Sequence, residues 1–514
     1  MAAEASGGAP ADPPMLDTVQ RAVVTLALAL AVFMNVLDVS IANVSIPTIA
    51  GFLGVSAENG TWVITSFAVS NAIAVPISGW LAKRVGEVRL FVICTLLFTF
   101  FSWLCGMSFS FPMLLAARAM QGAAAGPMIP LSQSLLLSNY PREKHGFANG
   151  IWGMTAVVGP VAGPILGGWI TDHISWSWIF YINVPVGLFS AWLTWLILHP
   201  RETATQRLPV DKVGLGLLIV GVACLQIMLD TGNNHGWFDS PRIVTLGVIA
   251  LVCLTFFVVW ELTDEHPVVD LRLFARRNFA VATTAMSLGY LTFFAGVVIF
   301  PLWLQTQQGY TAAWAGLATA SLGLFGIVFS PIVGHLADRI DVRILVTIGF
   351  IVFAAVSFLN AGVNTEVTFW GVFLPRLPWG IGIACFFIPL ITLSLSGLHG
   401  SRIASASGLF NFMRLLALSF GTSISVTLWD RRATLHDYHL TANLTPYSPL
   451  THQALDHAQA LGMQPQQVLG SMAHTIARQA FMLATNDIFW ISGWIFVALI
   501  GVIWIARRPQ RAVG

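Results

Sequence analysis

The sequence predicts an all-α polytopic membrane protein with fourteen transmembrane helices, arranged as two six-helix repeats plus two inserted helices. Three observations lead to this fold class. Hydrophobic residues make up 56% of the 514 residues and charged residues only 9%, whereas soluble domains carry about 25% charged residues. The apolar runs are about 20 residues long, the length of a helix that crosses a bilayer. Three short motifs also recur in the two halves of the chain.

The apolar runs place the spans, and the basic residues between them set the orientation. If successive spans cross in alternate directions, eighteen of the 25 Lys and Arg residues lie on one side and four on the other. Basic loops tend to stay in the cytoplasm, so both termini are predicted to be cytoplasmic. The candidate spans cover about residues 22–47, 60–82, 89–108, 112–137, 147–170, 177–198, 213–230, 242–261, 279–304, 313–334, 343–361, 368–395, 403–428 and 487–507.

The recurring motifs indicate a duplicated unit. The stretches that begin at Gly79, Arg118 and Ala148 return about 255 to 258 residues later, at Gly334, Arg376 and Ala406. Spans seven and eight have no counterpart and are predicted to be inserted between the halves. A parallel repeat of this kind predicts a transporter whose substrate path lies between the halves. The predicted division is a tail 1–20, an N-terminal bundle 21–200, inserted helices 201–262, five C-terminal helices 263–429, an outer loop 430–486, and a last helix with its tail 487–514.

Asp38 is the one acidic residue placed well inside an apolar run. An ionised carboxylate at the bilayer centre costs at least ~2.5 kcal/mol, so such residues usually face a bundle interior or a wet cavity. One interpretation is a site that takes up and releases a proton; the other is a structural Asp permanently paired with a buried Arg. Arg118, in the fourth span, is the expected partner. A movement that separates the two would let Asp38 capture a proton.

The sequence offers little support for an enzyme. The five Cys residues show no metal-ligand spacing, and no Gly-Lys-Ser/Thr loop for phosphate binding is present. No nucleophile elbow or paired catalytic carboxylates are found either. We therefore expect neither a metal nor an organic cofactor, with the proton gradient as the energy source.

Several motifs together resemble one known family. Gly79-x-Leu-Ala-x-Arg84-x-Gly86 is similar to the signature loop of the major facilitator superfamily, and its second copy contains Asp338 and Arg339. Arg118-x-x-Gln121-Gly122 resembles the superfamily's second motif. Residues 37–47, around Asp38, resemble the first-span motif of its fourteen-span drug:proton antiporters. The fifth span resembles the antiporter motif through Gly159, Pro160, Gly163, Pro164, Gly167 and Gly168.

The resemblance covers about residues 20–507 and extends to the multidrug export permeases of bacterial inner membranes. It implies the major facilitator fold and export of hydrophobic compounds in exchange for protons. It also implies a periplasmic adaptor as partner and, through it, an outer-membrane channel. An exporter dedicated to one metabolite or fatty-acid-like compound is the alternative. Lys83 stands where the family usually has Asp, which removes the acid from the first copy of the signature loop.

The remaining candidates concern gating and the cavity. Gly79 and Gly86 permit close helix approach, and Arg84 is placed to bind helix carbonyl groups on the cytoplasmic side. The small residues of the fifth span permit tight packing, which the family uses as an outer seal; ordinary helix packing would use them equally. Arg414 and Arg376 are expected to attract anionic groups of a substrate or to pair with carbonyls. The cavity candidates are Asn35, Asn43, Trp62, Gln121, Trp152, Phe410, Asn411, Phe412 and Arg414.

Overall fold

A computed structural model describes residues 16–55, 57–141, 144–206, 209, 211–265, 267–398, 401–442, 451–453, 456 and 464–508. Within these ranges the regular structure is helical, and the long helices follow the predicted spans. Their bounds are α1 Thr18–Phe52, α2 Trp62–Val85, α3 Glu87–Gly106, α4 Phe111–Ala125, α5 Met128–Ser138, α6 His145–His173, α7 Asn183–Leu198, α8 Lys212–Thr231, α9 Pro241–Thr263, α10 Arg277–Gln307, α11 Ala312–Arg339, α12 Val342–Asn360, α13 Phe369–Arg376, α14 Trp379–Ser394, α15 Ser401–Thr441 and α16 Pro465–Ile503. Short helices also occur, among them Ala57–Gly60 and Trp178–Tyr181.

The number of membrane crossings follows from helix length and composition. In the described part of the chain, 12 helical segments are long and apolar enough to cross a membrane. The all-helical membrane fold expected from the sequence is thereby confirmed. Two further predicted spans correspond to α6 and to the consecutive pair α4 and α5, which adjoin at Gly126 and Pro127. The count of fourteen therefore stays a prediction for these two.

The inserted helices α8 and α9 pack against each other, and α8 also packs against α2 and α15. Side-chain hydrogen bonds fix this position. Ser419 Oγ donates to Gln226 Oε1 at 2.9 Å, and Trp237 Nε1 donates to Thr427 Oγ1 at 2.8 Å. The inserted pair thus lies beside the junction of the two halves, in contact with one helix of each.

The halves meet closely at the side of the bundle where α1 begins and α16 ends, called here the terminal side. A Cβ added to Gly150 would lie 2.8 Å from the carbonyl oxygen of Ser330 in α11. A Cβ added to Gly79 would lie 2.6 Å from Ser405 Cα in α15. These approaches are closer than real Cβ atoms permit, so glycine is required at both places. In this conformation the helices of the two halves are in contact at the terminal side.

On the opposite side two helices extend well past the bilayer. Helix α15 has 41 residues and α16 has 39, which at 1.5 Å per residue gives each about 60 Å, twice the thickness of a hydrocarbon core. Their extensions are joined by Trp429 Nε1, which donates to Thr485 Oγ1 at 2.9 Å. Asp487 binds both Arg432, at 2.6 Å, and His436, at 2.7 Å. The described part of the segment predicted as an outer loop is therefore mainly helical.

Candidate functional site

Asp38 lies in α1 with its side chain fully buried, and three side chains from two other helices bind its carboxylate. Arg118 Nη1 is 2.5 Å from Asp38 Oδ2. Gln121 Nε2 and Asn183 Nδ2 each donate to Oδ1 at 3.0 Å. Both side chains of the ion pair have no exposed surface. The structure thus brings together the two residues expected from the sequence to form a buried pair.

Arg118 is held as firmly as its partner. Its Nε donates to the carbonyl oxygen of Val63 at 3.0 Å, and its Nη1 also donates to Gln121 Oε1 at 2.8 Å. The guanidinium lies over the rings of Phe67 and Phe180, with Cζ 4.3 Å and 5.5 Å from their centroids. Arg118 and Gln121 are three residues apart in α4, so both project from one face toward α1.

Asn183 is a member of this site that the sequence did not single out. It is the first residue of α7, and its Nδ2 also lies 3.0 Å from Ser102 Oγ. Ser102 in turn donates to the carbonyl oxygen of Phe180 at 2.9 Å. A carboxylate bound by α4 and α7 links three helices of the N-terminal half. A change in the charge of Asp38 therefore acts on the packing of all three.

The glycines of α6 pack against the helix that bears Asp38. A Cβ at Gly159 would lie 2.6 Å from Val36 Cγ1, and one at Gly167 would lie 2.8 Å from both the carbonyl oxygen and Cγ1 of Ile41. Gly163 lies between them, against Ser40. We call Gly159, Gly163 and Gly167 the glycine stripe. Gly168 is half-buried, and the side chains of Pro160 and Pro164 lie outside what the structure describes.

A second polar cluster crosses between the halves. Trp152 Nε1 donates to Ser132 Oγ at 3.0 Å, Ser407 Oγ donates to Gln133, and Asn411 Nδ2 donates to the carbonyl oxygen of Ser407 at 2.9 Å. Of these, Trp152 and Asn411 were candidates from the sequence. Gln133 and Ser407 were missed, although a Gln within an apolar run is the kind of signal that identified Asp38.

Comparison with known proteins identifies the family. The family model for the Major Facilitator Superfamily matches residues 28–422. The chain belongs to the major facilitator superfamily. "Multidrug export protein EmrB" of Haemophilus influenzae is 52% identical over 487 residues, covering 94% of this chain and 95% of that protein. The protein of the same name from Escherichia coli K12 is 48% identical over 504 residues, 97% of this chain and 98% of its own.

A third relative carries a different name. "Fatty acid resistance protein FarB" of Neisseria gonorrhoeae is 47% identical over 503 residues, 98% of this chain and 99% of that protein. Among solved structures, the proton:xylose symporter XylE matches with a TM-score of 0.60 and 14% identity, over 95% of this chain and 96% of its own; at this identity it supports the fold. The family and the EmrB-type permease group expected from the motifs are confirmed, and the chain is a transporter.

The other cavity candidates of this transporter lie at several places. Phe410 and Phe412 are buried, and Asn35 donates to the carbonyl oxygen of Ala125 at 2.9 Å. Trp62 is half-buried at the start of α2, and the side chain of Asn43 lies outside the described residues. Arg414 is only 7% exposed, and its Cζ lies 5.4 Å from the ring centroid of Tyr290 and 5.8 Å from that of Phe387. Its Nε has no hydrogen-bond partner among the described residues.

In the N-terminal half, the helix that follows the signature loop is capped by an acid from outside the loop. Gly86 has φ +99°, a conformation that favours glycine, and this turns the chain from α2 into α3. Glu202, from the segment after α7, accepts hydrogen bonds from the backbone N–H groups of Val88 at 3.0 Å and Arg89 at 2.8 Å. The Arg84 guanidinium lies 5.3 Å from the ring of Trp80. Glu202 thus places a negative charge at the α3 N-terminus, where the helix dipole stabilises it.

In the C-terminal half, the helix that follows the second copy of the loop is capped by an acid of the loop itself, Asp341. Asp341 accepts a hydrogen bond from the backbone N–H of Arg343 at 3.1 Å and lies 2.7 Å from Arg343 Nη2. The hydrogen bond from the Arg343 guanidinium lowers the pKa of Asp341 below its ordinary value. The side chain of Asp338 lies outside the described residues, while Arg339 is exposed at the end of α11.

Proposed function

We propose that this transporter is a proton-coupled antiporter that exports hydrophobic compounds across the bacterial inner membrane by alternating access. The observation that carries the proposal is the buried ion pair of Asp38 and Arg118 at 2.5 Å. A pair with a purely structural role would not have to separate during transport. Here the acid lies in α1, its partner in α4 and a further donor in α7, so movement between these helices alters the environment of the acid.

The proposed cycle uses the carboxylate as a switch. With the halves in contact at the terminal side, which we assign to the cytoplasm with both termini, access is from the outer side. A proton that binds Asp38 Oδ2 neutralises the carboxylate and removes the counter-charge of Arg118. The link from α1 to α4 then weakens, which favours opening toward the cytoplasm. There the proton leaves, Arg118 pairs again with Asp38, and bound substrate is carried outward as the halves close at the terminal side.

The substrate class follows from the names of relatives and from the cavity candidates. Proteins named for multidrug export are 48% and 52% identical to this chain, which supports hydrophobic, drug-like compounds. The alternative is an exporter dedicated to one metabolite or fatty-acid-like compound. Two observations favour it: the relative named for fatty acid resistance, and the buried Arg414 between Tyr290 and Phe387, a cation suited to a carboxylate beside an apolar chain.

We also assign the extensions of α15 and α16 to contact with a periplasmic adaptor, and through it an outer-membrane channel. These extensions have no lipid to face, and exposed apolar side chains lie on them, including Leu435, Tyr438 and Leu469. Replacement of residues 442–464 and the adjoining helical turns with a Gly/Ser linker is expected to keep transport in liposomes and to lose resistance in cells. Unchanged adaptor cross-linking with full resistance would contradict the assignment.

The decisive experiment concerns Asp38. Purified protein is reconstituted in liposomes, and uphill movement of a hydrophobic dye is followed after a pH gradient is imposed. Asp38→Asn is expected to bind the dye and to lose gradient-driven accumulation, because the amide cannot exchange a proton. Asp487→Asn, which changes a carboxylate outside this cluster, is the matched control and should keep accumulation. Gradient-driven transport by Asp38→Asn at the wild-type rate would refute the proton role.

A further inference from the structure

We propose that the C-terminal bundle binds a small inorganic anion, with chloride as the physiological candidate, on the guanidinium of Arg376. Arg376 is the last residue of α13 and is fully buried. Helix α13 begins at Phe369 on the side opposite the termini, so Arg376 lies about 10 Å below the start of its helix at 1.5 Å per residue. It corresponds in the repeat to Arg118, which lies at the same depth of α4.

The guanidinium has no acceptor in the described part of the chain. Its Nε, Nη1 and Nη2 are all buried without a hydrogen-bond partner there. Aromatic rings surround it instead: Cζ is 3.6 Å from the ring centroid of Phe300, 5.3 Å from that of Trp379 and 5.6 Å from that of Phe489. An Arg side chain cannot lose its proton in a protein, so this is a permanent buried charge.

Two indole N–H groups near these rings are also buried donors without an acceptor. Trp379 Nε1 and Trp303 Nε1 are buried and have no acceptor among the described residues. Trp379 is itself one of the rings on Arg376, and Trp303 packs on Phe300 with 5.4 Å between the ring centroids. Arg and Trp side chains donate and cannot accept. The neighbourhood therefore contains unsatisfied donors of three side chains, a set that suits an anion.

No protein acid pairs with Arg376 among the described residues that surround it. Helices α10, α13 and α14, which supply Phe300, Arg376 and Trp379, contain neither Asp nor Glu. Asp487, two residues from Phe489 in α16, already binds Arg432 and His436. Contact with ring faces attracts a cation only weakly compared with the loss of its hydration, and water would satisfy donors without neutralising the charge. A counter-ion from solution meets both needs.

The enclosure selects the size of the ligand. Rings lie within 5.6 Å of the guanidinium carbon, and Arg376, Phe300 and Trp303 expose no surface. An anion that reaches the guanidinium must therefore be monatomic or similarly small and must shift these rings slightly, which excludes the acid group of a drug-sized molecule. The inference is independent of proton coupling, because it concerns stability of the C-terminal bundle and uses none of the residues that bind Asp38.

The test measures thermal unfolding of the full-length protein in lipid nanodiscs, in sodium chloride and in sodium gluconate at equal ionic strength. The wild type is expected to unfold at a higher temperature in chloride, with a shift that saturates as chloride replaces gluconate. Arg376→Gln should abolish the shift. Arg432→Gln is the matched control, since Arg432 has a protein acid as its partner, and it should retain the shift. Equal unfolding temperatures of the wild type in both salts would overturn the proposal.

Milder variants keep the test decisive if Arg376→Gln does not fold. Trp379→Phe and Trp303→Phe keep a smaller aromatic ring and remove one N–H donor each, so each should raise the chloride concentration for half-maximal stabilisation several-fold. Bromide in place of chloride should give an anomalous diffraction peak beside Arg376 in crystals. A chloride response unaltered in both Trp variants, or bromide peaks only at other places, would refute the site.

Discussion

The two halves of the bundle carry repeat-related arginines, Arg118 and Arg376, in opposite electrostatic settings. Both side chains are fully buried and both lie against aromatic rings. Arg118 is bound by Asp38 of α1. The repeat equivalent of α1 is α10, which contains neither Asp nor Glu, and Arg376 has no acceptor among the described residues.

Both copies of the repeat therefore contain the arginine, but only the N-terminal copy contains an acid that balances its charge. An acid that can be protonated balances the charge in the N-terminal half, so a proton can switch that pair. In the C-terminal half, α10, α13 and α14 contain no Asp or Glu, and Asp487 of α16 pairs with Arg432 and His436 instead of Arg376. Proton coupling is therefore expected to reside in the N-terminal half. The C-terminal half is expected to move relative to it without binding a proton.

The largest expected effect comes from removing Arg118. Arg118→Gln leaves Asp38 as a buried charge without its counter-ion, and such a change costs about 3–5 kcal/mol. The double variant Asp38→Asn/Arg118→Gln should regain most of this stability, because both charges are then gone. Unfolding in mixed micelles measures both.

The C-terminal comparison sharpens this result. Arg376→Gln removes a charge without leaving a protein acid unpaired, so it should lower stability less than Arg118→Gln and should leave the pH dependence of transport intact. A larger loss of stability in Arg376→Gln than in Arg118→Gln would contradict the asymmetry between the halves.

The glycine stripe is the next difference between the halves. In α15, the repeat equivalent of α6, glycine occurs only at Gly408 and Gly421. Gly167→Ala would place a Cβ 2.8 Å from the backbone of Ile41, and such overpacking costs about 1–3 kcal/mol. Because α1 carries Asp38, transport should fall along with stability. Gly216→Ala is the control, since nothing lies within 4 Å of a Cβ there; thermal unfolding and dye transport of the two variants should differ clearly.

The sequence was sufficient for the fold and for the ion pair, and for physical reasons. Buried charges must meet, and Asp38 and Arg118 were the obvious opposite charges inside apolar runs of the first half. Asn183 was missed because an uncharged amide inside a span can be satisfied by many neighbours, whereas a buried charge requires an opposite charge. The sequence also did not show that the glycine stripe packs against α1, because a helix that is apolar on all faces gives no sign of which face contacts which neighbour. The apolar pattern stops where a helix leaves the bilayer. Residues 430–486 were therefore predicted as an outer loop, and the continuation of α15 and α16 into this segment was missed.

A smaller effect is expected at the two signature loops. Glu202 lies 114 residues after Val88 and 113 residues after Arg89 in the sequence, and it accepts hydrogen bonds from the backbone N–H groups of both in the first turn of α3. Glu202→Ala should cost about 1 kcal/mol, as for loss of a helix cap. Glu202→Gln should cost less, because the amide oxygen still accepts one hydrogen bond. If Glu202→Ala were as stable as the wild type, the hydrogen bonds of Glu202 would not stabilise the N-terminus of α3.

The smallest expected effect is a pH dependence confined to the C-terminal loop. The Arg343 guanidinium holds the pKa of Asp341 below its ordinary value, so the folded state favours the ionised carboxylate. The stabilisation is fully present above the pKa of Asp341 in the unfolded chain and is lost as the pH falls through the lower folded pKa. A partly exposed ion pair of this kind contributes roughly 0.2–1 kcal/mol. Thermal unfolding measured from neutral pH into the acid range should therefore decline less steeply in Asp341→Asn than in the wild type. Identical acid limbs for the two proteins would contradict this, and Glu366→Gln, which changes an exposed acid, provides the control.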